Sequence, residues 1–105
     1  MTEKRKTSYS LAPIKRAFAD PHGLNRTFSA AKGAEELGME EQDVVEVVAG
    51  LTQRDFVKSM TAYHDHRLPQ DVYTPSVDGQ RLYVKFTLDQ RGNLLLISFK
   101  GNDDG

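Results

Sequence analysis

From residue 55 onward, apolar residues alternate with Lys, Tyr, Gln and Ser, most clearly in RLYVKFTLD (81–89) and NLLLISFK (93–100). Alternation with period two places successive side chains on opposite faces of a strand. The pattern predicts four strands at about 55–62, 71–77, 80–88 and 94–100. Asp78-Gly79 is a two-residue hairpin signal, and Gln90-Arg91-Gly92-Asn93 supplies the next turn. The resulting antiparallel sheet has one apolar face and one face bearing polar and cationic groups.

The earlier half carries a different period. Leu11, Ile14, Ala17 and Phe18 recur at helical spacing after Ser10, a candidate N-cap, and Pro13 falls in the first turn where its missing N–H costs little. Asp20-Pro21-His22-Gly23 ends this helix after about ten residues. Residues 24–28 suggest a short edge strand. Ser29 is the next candidate cap, for a helix reaching about Leu37 with Gly38 as its C-terminal stop. Gly33 within it costs up to ~1 kcal/mol relative to Ala. A third helix, about 40–49, shows Val44, Val47, Val48 and Leu51 at i, i+3, i+4 and i+7. Its first turn is acid-rich, which suits the positive end of the helix dipole. Gly50 ends it, and Thr52 starts one further turn. Residues 1–8 and 101–105 are expected to be loosely attached. Helices followed by an antiparallel sheet predict a single α+β domain over 1–105.

Parity constrains the register. Leu82, Val84, Phe86 and Leu88 share one face, as do Leu95, Ile97 and Phe99. A tight loop centred on Arg91-Gly92 then sets Val84 opposite Phe99, Phe86 opposite Ile97, and Tyr83 opposite Lys100, with Lys85 and Ser98 on the same outer face. The Asp78-Gly79 turn places Gln70, Val72 and Thr74 on that face too. Gln70 falls opposite Thr87, roughly 13 Å along the strand from Tyr83. The first strand cannot bury Phe56 and expose Lys58 in regular geometry, so a bend or bulge is expected there.

Charge and composition narrow the chemistry. The 105 residues suffice for one modest core and contain no Cys, which removes disulfides, thiolate nucleophiles and cysteine metal sites. No apolar run approaches the roughly 20 residues of a membrane span. The basic start MTEKRKTSYS lacks the apolar stretch of a signal peptide, so a cytoplasmic location is expected. The net charge of −1 hides an asymmetry. Eight of the 15 acids lie within 35–46 and at 103–104, leaving seven acids against all 14 Lys and Arg. A chain with that remainder can meet a polyanion if the acidic helix stays off the contact face.

His64-Asp65-His66 is the obvious metal motif, yet it lacks a third and fourth ligand and reads as a surface feature. No metal or cofactor is expected. No Gly-rich phosphate loop occurs, and the acids cluster on helices rather than as a catalytic pair. What remains is Lys58, Tyr83 and Lys100, with Gln70, Lys85 and Arg81 as further candidates. A Lys/Tyr sheet face is commonly plain solvated surface. Its functional reading is a phosphodiester site, where ammonium groups stabilise a dianionic transition state and a tyrosine moves a proton or binds phosphate.

The segments EELGM (35–39), GLTQRDFVKSMTAYHDH (50–66), QDVYTP (70–75), LYVKFT (82–87) and LLLISFK (94–100) give the chain a resemblance to the motility quorum-sensing regulator family of toxins, a branch of the RelE-like messenger-RNA interferases. The resemblance spans nearly the whole chain. It implies a RelE-like fold and a toxin of a type II toxin–antitoxin system that cuts mRNA at GC-containing sites, without ribosome or metal. It also implies a cognate antitoxin, zinc-binding with a helix-turn-helix half, through which alone DNA is contacted. The family's active-site lysine, glutamine, strand tyrosine and C-terminal lysine fall on Lys58, Gln70, Tyr83 and Lys100. Arg81, Lys85 and His66 stay open. The sequence pI near 6.3 departs from the basic character common in such toxins. The alternative function is a non-catalytic regulator acting through a partner protein or DNA complex.

Overall fold

A computed structural model describes residues 2–61 and 68–102, and these residues form three α-helices and six strands. The helices are α1 (Leu11–Ala17), α2 (Phe28–Glu36) and α3 (Glu41–Ala49). The strands are β1 (Thr2–Lys4), β2 (Phe56–Thr61), β3 (Gln70–Tyr73), β4 (Ser76–Val77), β5 (Gln80–Leu88) and β6 (Leu94–Gly101). All strand pairs are antiparallel. β1 pairs β2, β2 pairs β3, and β3 and β4 lie in succession along one side of β5, with β6 on its other side. This is the expected α+β arrangement.

The Asp78-Gly79 turn explains the centre of the sheet. Both residues have positive φ, 51° and 82°, the condition for a turn whose twist matches its strands. It sets Asp71, Val72 and Tyr73 opposite Phe86, Lys85 and Val84, the register that the sequence implies. The single strand expected at 71–77 is interrupted at Thr74-Pro75, because proline has no N–H for the ladder. The Pro75 carbonyl still accepts from the Leu82 amide at 2.8 Å.

Helix ends follow local chemistry. α1 stops at Ala17, sooner than its apolar spacing suggests; the Pro21 that follows disfavours helix at Asp20. α2 is capped by Thr27, not Ser29: the Thr27 hydroxyl accepts from the Ala30 amide at 3.1 Å. The reason lies in tertiary hydrogen bonds. The Thr27 amide donates to the Leu96 carbonyl and the Leu96 amide to the Asn25 carbonyl, holding residues 25–27 extended against β6. The expected edge strand at 24–28 is thus a single parallel bridge, Arg26 to Leu96. Gly38 follows α2 with φ +74°. α3 starts where Asp43 accepts from the Glu40 amide at 2.8 Å, and Thr52 opens one 3-10 turn, Gln53–Asp55.

The core lies between the helices and one sheet face. Ile14, Phe18, Val44, Val48 and Leu51 pack against Leu82, Val84, Phe86, Leu96 and Phe99, all nearly inaccessible. Tyr73 meets Phe56 and Phe86 edge-on at 5.6 and 5.9 Å. Burying such a side chain contributes roughly 1.5–3 kcal/mol. α2 instead closes the edge of the sheet along β6. A Cβ on Gly33 would lie 2.0 Å from the Phe99 carbonyl oxygen, so only glycine permits this approach.

The start of the chain forms an edge strand that its sequence does not advertise. β1 pairs Thr2, Glu3 and Lys4 with Thr61, Met60 and Ser59. Downstream, the buried Asp71 carboxylate accepts from the amides of Ser8 and Tyr9 at 2.9 and 2.8 Å. The Ser8 and Ser59 hydroxyls share a 2.7 Å hydrogen bond, and the Tyr9 hydroxyl donates to the Pro69 carbonyl. Among the described residues no helix is long and apolar enough to cross a membrane.

Candidate functional site

Two bulges decide what the outer sheet face displays. In β2, Phe56 pairs Tyr73 while Lys58 pairs Val72, so Val57 is an extra residue. A bulge lets neighbouring side chains escape strict alternation. Phe56 packs towards the core and Lys58 joins the opposite face, which resolves the parity conflict that the sequence exposes. In β6, Lys85 pairs Ser98 but Phe86 pairs Leu96, leaving Ile97 as the extra residue. This corrects the expected pairing of Phe86 with Ile97. Leu96 and Phe99 are the buried residues of β6, while Leu95 and Ile97 stay partly exposed.

The pairings align Lys58, Val72, Lys85 and Ser98 in one row across four strands. Adjacent strands are about 4.8 Å apart, so the Lys58 and Lys85 backbones are separated by about 10 Å. Val72 between them is only 1% exposed although it faces outward, consistent with aliphatic lysine stems lying over apolar surface. Beside this row, Tyr83 pairs directly with Lys100. The Lys100 ammonium is 5.5 Å from the Tyr83 ring centre and the Lys85 ammonium 5.6 Å. Both fall within the range of cation–π attraction. One tyrosine ring thus shares two ammonium groups, and a third lysine stands at the end of the adjoining row.

Lys58, Tyr83 and Lys100 therefore occupy one face. Lys85 joins them; its parity in the sequence puts it on this face but does not separate it from ordinary strand surface. Arg81 has the same parity and lies opposite Ser76, one pair beyond Leu82. Gln70 pairs Met60 at the start of β3. The β3–β5 register runs without a shift through residues 71–73, so Gln70 stays roughly 13 Å along the strands from Tyr83. It flanks the lysine row and does not touch the tyrosine. His64 and His66 lie outside the described residues. Among the described residues no three His, Cys, Asp or Glu side chains gather as a metal site.

The acids of α3 lie away from the cationic face, as a polyanion site requires. α3, with Glu41, Asp43 and Glu46, packs on the inner face of the sheet, opposite Tyr83. A cavity of about 640 Å³ lies on that side and is ringed by Asp43, Glu46, Asp55 and Asp78. Carboxylates repel phosphate, so this cavity is no nucleic-acid cleft. A smaller groove of about 160 Å³ runs between α2 and β6 and opens beside Lys100.

The family model described as "Motility quorum-sensing regulator, toxin of MqsA" matches residues 6–101. The chain is also similar to the mRNA interferase toxin MqsR of Escherichia coli (strain K12), with 37% identity over 98 residues, 93% of this chain and 97% of that protein.

Proposed function

The chain belongs to the motility quorum-sensing regulator family of toxins and is an endoribonuclease, an mRNA interferase; from that premise we propose that Lys58, Gln70, Tyr83 and Lys100, joined by Lys85, carry the reaction on the outer sheet face. The observation that supports this most is the Tyr83 ring within 6 Å of two ammonium groups.

The reaction is transfer within the RNA. The 2′-oxygen attacks the adjacent phosphorus, the O2′–P bond forms, and the P–O5′ bond breaks. The 2′-hydroxyl proton leaves to a base and a proton reaches O5′, which gives a 2′,3′-cyclic phosphate and a 5′-hydroxyl. Negative charge grows on the non-bridging oxygens, where Lys58, Lys85 and Lys100 stabilise it. One preorganised donor in such a site is worth about 10²–10³ in rate. The Tyr83 hydroxyl moves a proton or binds the phosphate. Gln70, further along the face, positions the strand and not the reacting atoms.

The substrate is single-stranded mRNA in the cytoplasm, cut at GC-containing sites without the ribosome. Cationic side chains supply the charge stabilisation that a metal would otherwise give. A cognate antitoxin, zinc-binding with a helix-turn-helix half, is the partner that silences the toxin and contacts DNA.

Incubating the purified protein with long single-stranded RNA in EDTA, without ribosomes, tests this reading. Fragments ending in 2′,3′-cyclic phosphate support it. Intact RNA in EDTA, with cleavage appearing only when ribosomes or a divalent metal are added, rejects it.

A further inference from the structure

The groove between α2 and β6 is not used by the chemistry above, yet it meets the site at Lys100. Ser29, Lys32 and Gly33 line its helical side, and Ser98 and Lys100 its strand side. Ser98 pairs Lys85 and Lys100 pairs Tyr83, so the groove opens on the face that carries the tyrosine. α2 runs alongside β6 in the same direction. The Thr27 hydroxyl donates to the Ile97 carbonyl at 3.3 Å, whereas the Gly33 position abuts Phe99 and Lys100.

Phe28 stands at the first position of α2 and is 82% exposed. It is the most exposed large apolar side chain among the described residues. Lys32, four residues later, is also exposed. Residues i and i+4 lie about 40° apart around a helix, so Phe28, outside the groove's lining, stands one turn from Lys32, which lines it. The sequence from Phe28 through Lys32 to Lys100 is an aromatic plate followed by two cations leading to Tyr83. Packing does not account for Phe28, which touches none of the core. The single acid in the groove, Glu36, lies one turn beyond Lys32.

We propose that this groove is a subsite for the RNA strand flanking the scissile phosphate, with a base stacked on Phe28 and a phosphate held by Lys32. The proposal rests on the nuclease reading of the neighbouring face. Its physical basis is that stacking on an aromatic side chain accepts any base, while lysine neutralises the backbone. Contacts here are remote from the reacting atoms and strengthen substrate binding in the ground state and transition state alike, so they act on KM more than on kcat.

Binding and cleavage are to be measured separately. A fluorescent single-stranded RNA, uncleavable through 2′-O-methylation, is titrated with wild type, Phe28→Ala, Phe28→Trp, Lys32→Ala and the control Arg16→Ala, an exposed charge on α1. Phe28→Ala weakens affinity by about ten-fold, and Phe28→Trp restores it. Lys32→Ala weakens affinity and flattens the dependence of log K on log salt by about 0.7. Arg16→Ala changes little. On cleavable RNA, Phe28→Ala raises KM with kcat nearly unchanged. Wild-type affinity in both Phe28→Ala and Lys32→Ala overturns the proposal, as does Phe28→Trp binding no better than Phe28→Ala. Unchanged RNA affinity with loss of binding to a partner protein also overturns it and assigns the groove to that partner. If Phe28-dependent binding occurs but wild type leaves unmodified RNA intact, the subsite stands and the nuclease reading falls.

Discussion

The Lys100 ammonium lies 5.5 Å from the centre of the Tyr83 ring, and the two residues are directly paired across β5 and β6. The pairing depends on where the β6 bulge sits. Next to the turn Leu88 pairs Leu94 and Phe86 pairs Leu96; the extra residue Ile97 then shifts the register by one, which brings Ser98 opposite Lys85 and Lys100 opposite Tyr83. If Lys100 stabilises charge on phosphate, Lys100→Ala lowers the single-turnover cleavage rate by about 10²-fold. Lys85→Ala acts in the same direction. Rates equal to wild type in both variants would remove the cations from the mechanism.

Gly33 gives a prediction opposite in sign to helix propensity. Alanine in a helix interior is favoured over glycine by about 1 kcal/mol. Here the added methyl would meet the Phe99 carbonyl, and overpacking costs about 1–3 kcal/mol. Gly33→Ala is expected to lower stability by about 2 kcal/mol in urea unfolding. It also reduces cleavage, because the Lys100 backbone lies behind Phe99. A variant more stable than wild type would show that α2 does not pack this closely.

Tyr73 carries a buried hydroxyl with no hydrogen-bond partner among the described residues. Burial, and after it the charge of Asp71, pushes its pKa from 10.0 up to about 12. The folded state then resists ionisation longer than the unfolded state. Stability from this residue is full below pH 10 and is lost as pH rises towards 12. Tyr73→Phe removes an unsatisfied polar group and is expected to raise stability by about 1 kcal/mol. It also reduces the alkaline loss. Thermal melts of both proteins between neutral and alkaline pH check the two effects together.

Asp71 ties the start of the chain to β3. Its carboxylate is inaccessible and takes the amides of Ser8 and Tyr9. Hydrogen bonds to charged groups contribute about 1.5–3 kcal/mol, so Asp71→Ala is expected to cost about 3 kcal/mol. Trypsin cutting after Arg5 and Lys6 should accelerate in this variant at temperatures where it is still folded. Equal cutting rates would mean that the anchor is not Asp71.

Much of this organisation is legible in the sequence, and the exceptions have causes. The α3 stripe Val44, Val47, Val48 and Leu51 is legible because every member is apolar and its neighbours are charged. The β3–β5 register is legible because Asp78-Gly79 admits one tight turn. The β2 bulge is legible as a contradiction between Phe56 and Lys58. The β6 bulge is not, since Leu94, Leu95, Leu96 and Ile97 form an unbroken apolar run in which either parity satisfies the core. Thr27 and Ser29 are equally good caps by composition, and the choice is made by hydrogen bonds to Leu96, distant in sequence. β1 is an edge strand of Thr, Glu and Lys, with no apolar alternation to mark it. In the site, parity with a loop centred on Arg91-Gly92 sets Tyr83 against Lys100, a pair that the structure reaches through the β6 bulge. Family resemblance adds Lys58 and Gln70, and the pairing of Val72 with both Lys58 and Lys85 brings in the third lysine.

The most direct test is the rate of RNA cleavage in EDTA by wild type and by Tyr83→Phe, which keeps the ring between its lysines and removes only the hydroxyl. Proton transfer by a positioned side chain contributes about 10²–10⁴-fold. Tyr83→Phe is expected to retain RNA affinity and to lose at least about 10²-fold in single-turnover rate. Cleavage by Tyr83→Phe at the wild-type rate would contradict a role for that hydroxyl in the reaction.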